Sequence, residues 1–323
     1  MQSSSENQTV AVTGATGFIG RYLTAALLAE GTRPVVLARS RTRPQEPPWN
    51  DDRIEWVPVE LTDEGAVLEV LERERPGVLF HLAGTRGRDG ETSASLAAAE
   101  VNVHATVRVL DAATKAGVGR IVAVGSAEEY GPQPVPYHEG LPWRATSPYG
   151  ISKAAATGLA LAMQAEDGTP VVVLRPFTVY GPGQPGHMFI AQAVAAAVAD
   201  EPFDMSHGEQ RRDLIFVEDV VRAFIAASRA PGVEGRVINV GTGAAHRLRD
   251  VAELIWEITG TSAPLNIGKR QVASDQFQDT WADITLAQRL LDWSPSVALP
   301  SGIEATVEAA RAELGRGRMR RVV

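Results

Sequence analysis

Cysteine is absent from this 323-residue chain, which excludes disulfides, thiolate metal sites and a cysteine nucleophile. Lysine is nearly absent too. Only Lys115, Lys153 and Lys269 stand among the 31 basic residues, an Arg bias of the kind a GC-rich genome produces and one that carries little function. Positive charge is not in excess: the formal net charge is -8, and nucleic-acid binding is not expected. No apolar run reaches the roughly 18 residues of a membrane span. The Ala-rich stretch 191–199 is too short for one and reads as a buried helix. The N-terminus, MQSSSENQ, is polar and lacks the apolar core of a signal peptide. A soluble, cytoplasmic protein without membrane contact is the expectation. The six histidines are scattered without ligand spacing, so no metal site is expected. No internal repeat is visible.

What is present is a regular alternation. Short β-branched runs at 8–13, 34–38, 54–59, 78–82, 120–125 and 169–175 read as buried strands. Between them lie amphipathic or Ala-rich helical stretches at 21–30, 63–75, 93–116 and 149–166. Strands alternating with helices predict an α/β fold with a doubly wound parallel sheet of the Rossmann type. After residue 176 the pattern loosens. Residues 177–213 read as a Gly/Pro loop with one Ala-rich helix, and helices follow at 219–229, 248–259, 286–291 and 302–314, with a strand at 236–240. The expected division is 1–176 for dinucleotide binding and 177–323 for a smaller, partly intermingled α/β substrate lobe. A hydrophobic content of 44% is ample for both.

The first strand runs into Gly14-Ala-Thr-Gly17-Phe-Ile-Gly20 and then a helix. Glycines let a backbone approach a pyrophosphate, whose charge a helix N-terminus favours. The second strand ends at Arg39-Ser40-Arg41. An acid at this point would accept from a ribose 2′-hydroxyl and favour NAD, whereas a basic residue accommodates a 2′-phosphate. No acid is there, and a third arginine follows at 43, so NADP(H) is favoured with NAD(H) as the alternative.

Ser147-Pro-Tyr-Gly-Ile-Ser-Lys153 carries the chemistry. Ser147 and Pro148 suit an N-cap and a first helical residue. Tyr149 and Lys153 then share a helix face as i and i+4. An ordinary phenol has a pKa of about 10, and a neighbouring ammonium lowers it, giving a group that exchanges protons with a substrate hydroxyl or carbonyl. Taken alone, Tyr-x-x-x-Lys is also met as a solvent-facing helical pair. Ser126, just past the fifth strand, joins it at the sheet edge where open α/β folds bind ligands.

On these motifs the chain resembles the extended short-chain dehydrogenase/reductase family, in particular its nucleotide-sugar branch, over nearly its whole length. Thr13 to Gly20 is similar to that family's cofactor loop, Glu60-Leu61 to its adenine-contacting pair, and His81-Leu-Ala-Gly84 to its fourth-strand motif. Gly125-Ser-Ala-Glu-Glu-Tyr-Gly131 resembles the segment that supplies the catalytic serine. Arg175-Pro-Phe-Thr-Val-Tyr-Gly-Pro-Gly183 resembles the substrate loop, and Gly208 to Asp213 the segment whose arginine meets the nucleotide diphosphate.

The resemblance implies Tyr149 as general acid/base, Lys153 as the group that lowers its pKa and binds the nicotinamide ribose, and Ser126 as the partner of the reacting sugar oxygen. It implies cofactor contacts from Gly14, Thr16, Gly17, Phe18, Ile19, Gly20, Arg39, Ser40, Arg41, Glu60, Leu61, Leu82, Ala83, Gly84, Asn102, Pro176 and Val179. It implies substrate contacts from Ser126, Ala127, Glu128, Thr178, Phe189 and Arg212, with Arg211 as the fallback. Asp219 is expected to be structural. The family often dimerises through the helices here at 93–116 and 149–166, and a homodimer is expected.

Within the branch, dehydratases place an acid directly after the catalytic serine to protonate the departing hydroxyl. Ala127 stands there, which disfavours dehydration although Glu128 matches the dehydratase base. Arg39 tips the reading to an NADPH-dependent reductase of a nucleotide-linked 4-keto-6-deoxyhexose. The alternative is a 4-epimerase with tightly held NAD; a 4,6-dehydratase or a non-catalytic sensor is disfavoured. Thr178, where the family has Asn, and Glu129, where it has an apolar residue, are the two departures. Both are expected to lie off the Ser-Tyr-Lys set.

Overall fold

The computed structural model describes residues 8–86, 92–271 and 279–315. In chain order, β1 (Thr9–Thr13), α1 (Phe18–Ala29), β2 (Arg33–Ala38), β3 (Glu55–Pro58), α2 (Glu64–Glu74) and β4 (Val78–His81) open the fold. They are followed by α3 (Thr92–Ala98), α4 (Ala105–Lys115), β5 (Arg120–Val124), α5 (Pro148–Asp167) and β6 (Val171–Pro176). The second half contains β7 (Thr178–Tyr180), α6 (Phe189–Val198), β8 (Phe203–Met205), β9 (Arg211–Arg212), β10 (Leu214–Phe216) and α7 (Val217–Arg229). It ends with β11 (Val237–Val240), β12 (His246–Arg247), α8 (Leu248–Thr259), β13 (Leu265–Ile267), α9 (Thr285–Leu291) and α10 (Leu299–Gly315).

Seven strands form one parallel sheet in the order β11-β6-β5-β4-β1-β2-β3. The strand order reverses between β1 and β4, which opens the crevice where such sheets receive ligands. One face is covered by α1, α7 and α9 over a core that includes Val12, Leu23, Phe80, Leu174, Phe224 and Trp293. The other is covered by α2, α4 and α5 over Val35, Leu71, Leu79, Leu110, Ile121 and Ala160. Strands buried on both faces explain the unbroken Val/Ile/Leu runs in the sequence. β11 joins the sheet and α7 packs on its face, and both come from beyond residue 176.

A separate core of α6, α8 and α10, with Ile190, Val194, Phe203, Ile255, Ile303 and Val307, forms the C-terminal lobe. Residues 177–213 are more ordered than a loop. They supply β7, β8 and β9, which pair with β10, β13 and β12 respectively. Runs of two or three residues paired to distant partners carry no local periodicity, so the sequence does not display them. Among the described residues, no helix is long and apolar enough to cross a membrane.

The helix expected at 93–116 is also different. It is broken by a π-helical turn at Ala99–His104, between α3 and α4. The turn carries the fully buried Asn102, whose side-chain amide donates to the Thr85 carbonyl at 2.8 Å and to Ser152 Oγ at 2.9 Å. π-Turns inside helices mark such functional constraints. Thr106 Oγ1 donates to the Asn102 carbonyl and is hydrogen-bonded to His81 Nε2, while His81 Nδ1 is joined to Thr13 Oγ1 at 2.8 Å. This chain of bonds ties β1, β4 and the π-turn together.

Burial holds the His81 imidazole neutral, lowering its pKa from 6.5 to about 3, with the Lys153 charge adding to the effect. Below its ordinary pKa the unfolded chain takes up this proton and the folded chain does not, so stability falls as pH falls from about 6.5 towards about 3. Urea unfolding across that window is predicted to show a slope shallower in His81→Gln than in wild type by up to about 1.4 kcal/mol per pH unit. Parallel slopes would contradict the assignment.

Candidate active site

Parallel register brings the chemistry to one edge. Thr13 lies beside both Leu37 and His81, His81 beside Ala123, and Val124 beside Leu174. Hence Gly14–Gly20, Arg39–Arg41, Leu82–Gly84, Ser126 and Pro176–Thr178 all leave the carboxyl ends of neighbouring strands.

The glycine turn is a tight cradle. Gly14 has φ 67°, and a Cβ there would meet the Leu82–Ala83 peptide at 2.5 Å. A Cβ on Gly20 would stand 2.2 Å from the Gly14 carbonyl oxygen. Gly17 caps α1 with no side chain on the helix end, leaving its first N–H groups facing outward from the turn. Thr16 and Gly17 are exposed, while Phe18 and Ile19 are half-buried. This is a surface an anionic diphosphate fits, because bare N–H donors and the helix dipole both favour negative charge. Glu60 and Leu61 follow β3, and Val179 packs partly into the sheet core.

At the end of β2, Arg39, Ser40 and Arg41 are exposed. Among the described residues no carboxylate pairs with either arginine. Ser40 Oγ turns back to its own loop, donating to the Thr42 carbonyl at 3.1 Å. Arg43 is spent differently: its guanidinium donates to the carbonyls of Trp49, Asp51 and Ile54 and fixes the Pro-rich loop. It is therefore not one of the arginines open to a phosphate.

Tyr149 and Lys153 sit in α5 as expected, with Ser147 capping the helix by accepting from Gly150 N at 2.9 Å. The pairing inside the site is different. Lys153 is 3% exposed, and its ammonium donates to the Val124 carbonyl at the end of β5. Burial lowers its pKa to about 8, opposed by the Glu129 carboxylate. The cation that acts most on the Tyr149 phenol is Arg86, whose guanidinium carbon stands 4.6 Å from the ring centroid. Burial still dominates and raises the phenol above its ordinary value. Arg86 opposes this, as does hydrogen bonding from the Ser126 side chain, while Glu128 and Glu129 add to the rise. The expectation that Lys153 is the main charge on the phenol is thus corrected, because a main-chain carbonyl holds the ammonium.

Glu128 and Glu129 have separate tasks. Glu128 pairs with Arg86 and accepts from Ser147 Oγ at 2.9 Å. Its oxygens are engaged beside the phenol, where an elimination base would need to be free. Glu129 is fully buried and touches the catalytic set, contrary to expectation: its Oε1 accepts from Ser126 N at 2.7 Å. Its Oε2 accepts from Arg175 Nε at 2.8 Å. Ser126 and Glu129 form a capping box on the 3₁₀ turn Ala127–Glu129. The S-x-x-E spacing was the available signal for it. Arg86 and Arg175 carried no such signal, since only the fold brings them here.

The other expected contacts divide. Asn102 has both amide hydrogens and its oxygen committed to Thr85 and Ser152, so it positions the Gly84–Thr85 strand end and α5; all of its hydrogen-bonding groups are taken up within the protein. A Cβ on Gly84 would lie 3.2 Å from its oxygen. Ala127 packs with Tyr130, Tyr137 and Phe177. Thr178 donates its N–H to the Asp213 carbonyl at 3.1 Å, in β7 at the rim. Phe189 packs on Phe203, ring centroids 6.0 Å apart, within the lobe core. Arg212 lies half-buried in β9 near Tyr137, and burial lowers its pKa. The exposed Arg211 is held by Asp279, which accepts its N–H at 2.7 Å. Asp219 is structural, accepting from Ser296 N and Val297 N at 3.0–3.2 Å.

Comparison with known proteins agrees with this geometry. The profile of the NAD dependent epimerase/dehydratase family matches residues 10–241. A UDP-glucose 4-epimerase of Mycolicibacterium smegmatis is 32% identical over 93% of this chain and 97% of its own length. A dTDP-6-deoxy-L-talose 4-dehydrogenase (NAD(P)(+)) of Kitasatospora kifunensis is 33% identical, covering 91% of this chain and 93% of its own. The crystal structure of the UDP-glucuronic acid 4-epimerase of Bacillus cereus, in complex with UDP-glucuronic acid and NAD, superposes with a TM-score of 0.85 at 27% identity, covering 94% and 99% of the two chains.

The cradle makes a direct prediction. Gly20→Ala is expected to weaken NADH and NADPH binding, read by fluorescence titration, at least about tenfold, because its Cβ displaces the Gly14 carbonyl. Far-UV circular dichroism is expected to stay unchanged. Unaltered dinucleotide affinity would show that the turn does not receive the diphosphate.

Proposed function

The chain belongs to the NAD dependent epimerase/dehydratase family, and from that premise we propose that it interconverts the C4 epimers of a nucleotide-linked hexose or hexuronic acid. The observation that carries this reading is the meeting of Ser126, Tyr149 and the buried Lys153 at the sheet edge, beside the glycine cradle. The 4-epimerases among the relatives support the choice of reaction. Ala127 and the engaged Glu128 speak against dehydration, which needs a free acid and base beside the serine.

NAD(P), when bound, would supply the hydride acceptor and donor. Gly14, Thr16, Gly17, Phe18, Ile19 and Gly20 would hold its diphosphate, Arg39, Ser40, Arg41, Glu60 and Leu61 its adenosine, and Leu82, Ala83, Gly84, Pro176 and Val179 would border its nicotinamide half. Tyr149 takes the proton of the C4 hydroxyl as the sugar is oxidised and returns it on reduction from the other face. Ser126 donates to the same oxygen, Arg86 offsets negative charge on the phenol, and Lys153 would meet the nicotinamide ribose. Thr178 and Phe189 border the sugar side, and Arg212 serves the diphosphate of the substrate. The division into a cofactor part, 1–176, and a substrate lobe, 177–323, follows the same logic.

A second reading, reduction of a 4-keto sugar by NADPH, keeps one specific support: the exposed arginines at the end of β2, where no acid stands. The 4-dehydrogenase relative accords with it. Assembly as a homodimer is supported by Leu96, 68% exposed, on α3 and by Ile151 and Leu159, 53% and 43% exposed, on the adjacent α5. Light scattering of the wild type is expected to give twice the chain mass; the monomer mass would remove the dimer.

Incubation with UDP-glucose or UDP-glucuronic acid, followed by proton NMR of the anomeric region, is predicted to show the C4 epimer. Tyr149→Phe is expected to reduce kcat at least about 100-fold with little change in bound dinucleotide. NADPH consumption on a 4-keto sugar without epimer formation would replace this reading by the second.

A further inference from the structure

Glu129 and Arg175 form an ion pair in which both side chains are 0% exposed, directly beneath Ser126. The pair is built in rather than incidental. Gly125 has no Cβ, and one placed there would meet Glu129 Oε1 at 2.6 Å and Arg175 Cγ at 3.0 Å. The guanidinium is held between two aromatic rings, with its carbon 4.7 Å from the centroids of both Tyr130 and Trp143. Tyr130 in turn donates its hydroxyl to Asn239 Oδ1 on β11 at 2.8 Å. A charge pair removed from water gains little stability over apolar residues of the same size. Its retention at this spot therefore calls for a role other than folding.

The geometry indicates that role. Each carboxylate oxygen has its own partner, Oε2 on Arg175 of β6 and Oε1 on the main-chain N–H of Ser126. The serine backbone is thereby tied to the sheet through a rigid, ring-clamped cation. We propose that Glu129 is a positioning residue for the reaction: it fixes Ser126 so that the serine hydroxyl meets the same substrate oxygen as Tyr149. This rests on the reading of Ser126 and Tyr149 given above. Glu129 does not touch substrate; it acts through the serine, and its negative charge also favours the ammonium form of Lys153.

The test compares Glu129→Gln with Glu129→Val in a common Arg175→Met background, so that neither variant leaves a buried charge alone. The two differ in whether an oxygen remains to accept the Ser126 N–H. Two readouts are taken: hydrogen exchange of the Ser126 amide by NMR on serine-labelled protein, and kcat and KM separately. The Gln variant is expected to keep the Ser126 protection of wild type and a kcat within about threefold of it. The Val variant is expected to lose at least about tenfold in both protection and kcat, with KM within about threefold. Equal protection and equal kcat in the two variants would overturn the proposal. A wild-type Ser126 amide that exchanges as fast as an open loop would overturn it without any variant. If no nucleotide sugar is turned over by wild type, the proposed reaction fails, while the exchange comparison still decides whether Glu129 fixes Ser126.

Discussion

The Lys153 ammonium lies buried at the carboxyl end of β5, and the neighbouring structure is arranged to tolerate that charge. Burial alone disfavours it. The Val124 carbonyl accepts one of its hydrogens, and the Glu129 carboxylate offsets part of the desolvation. The cost of placing a cation there constrains its surroundings. Ser152, the preceding residue, is bonded to Asn102, and Asn102 is presented by a π-turn. The same π-turn is linked through Thr106 to the neutral His81 and on to Thr13 at the start of the glycine turn. The glycine turn and the helix that carries Tyr149 and Lys153 are therefore parts of one hydrogen-bonded unit.

Charge near the phenol is balanced in the same way. Arg86 lies over the Tyr149 ring and is itself neutralised by Glu128, which also accepts from the Ser147 hydroxyl at the cap of α5. Glu129 is neutralised by Arg175. Two acid–arginine pairs thus follow Ser126, with their acids at the consecutive positions 128 and 129, one pair half-exposed and one buried. The guanidinium of the buried pair also lies 4.7 Å from the Tyr130 and Trp143 ring centroids.

Much of this was legible in the sequence, for identifiable reasons. Strands covered on both faces leave continuous apolar runs, so the sheet could be read and its carboxyl edge located. Gly14 to Gly20 and Tyr149 with Lys153 are local in sequence, and their spacing alone sets their geometry. What could not be read depends on distant contacts. Arg86 reaches Glu128 across 42 positions, and Arg175 reaches Glu129 across 46. The short strands β7 to β9 exist only through their pairing. The role of Lys153 on the phenol was overestimated because sharing a helix face does not say which neighbour takes the ammonium. Glu129 was noted as a departure but placed off the Ser-Tyr-Lys set, although its spacing from Ser126 is that of a capping box.

The central claim is that the hydride removed from C4 returns to the same sugar. Turnover of UDP-glucose or UDP-glucuronic acid deuterated at C4 of the sugar, with NAD+ supplied, followed by mass spectrometry of the nucleotide sugar, tests it directly. The account predicts a C4 epimer that keeps its deuterium, with no net formation of NADH. Loss of the deuterium from the epimer, or no epimer at all while a nucleotide-linked 4-keto sugar consumes NADPH, would contradict it, the latter identifying a reductase.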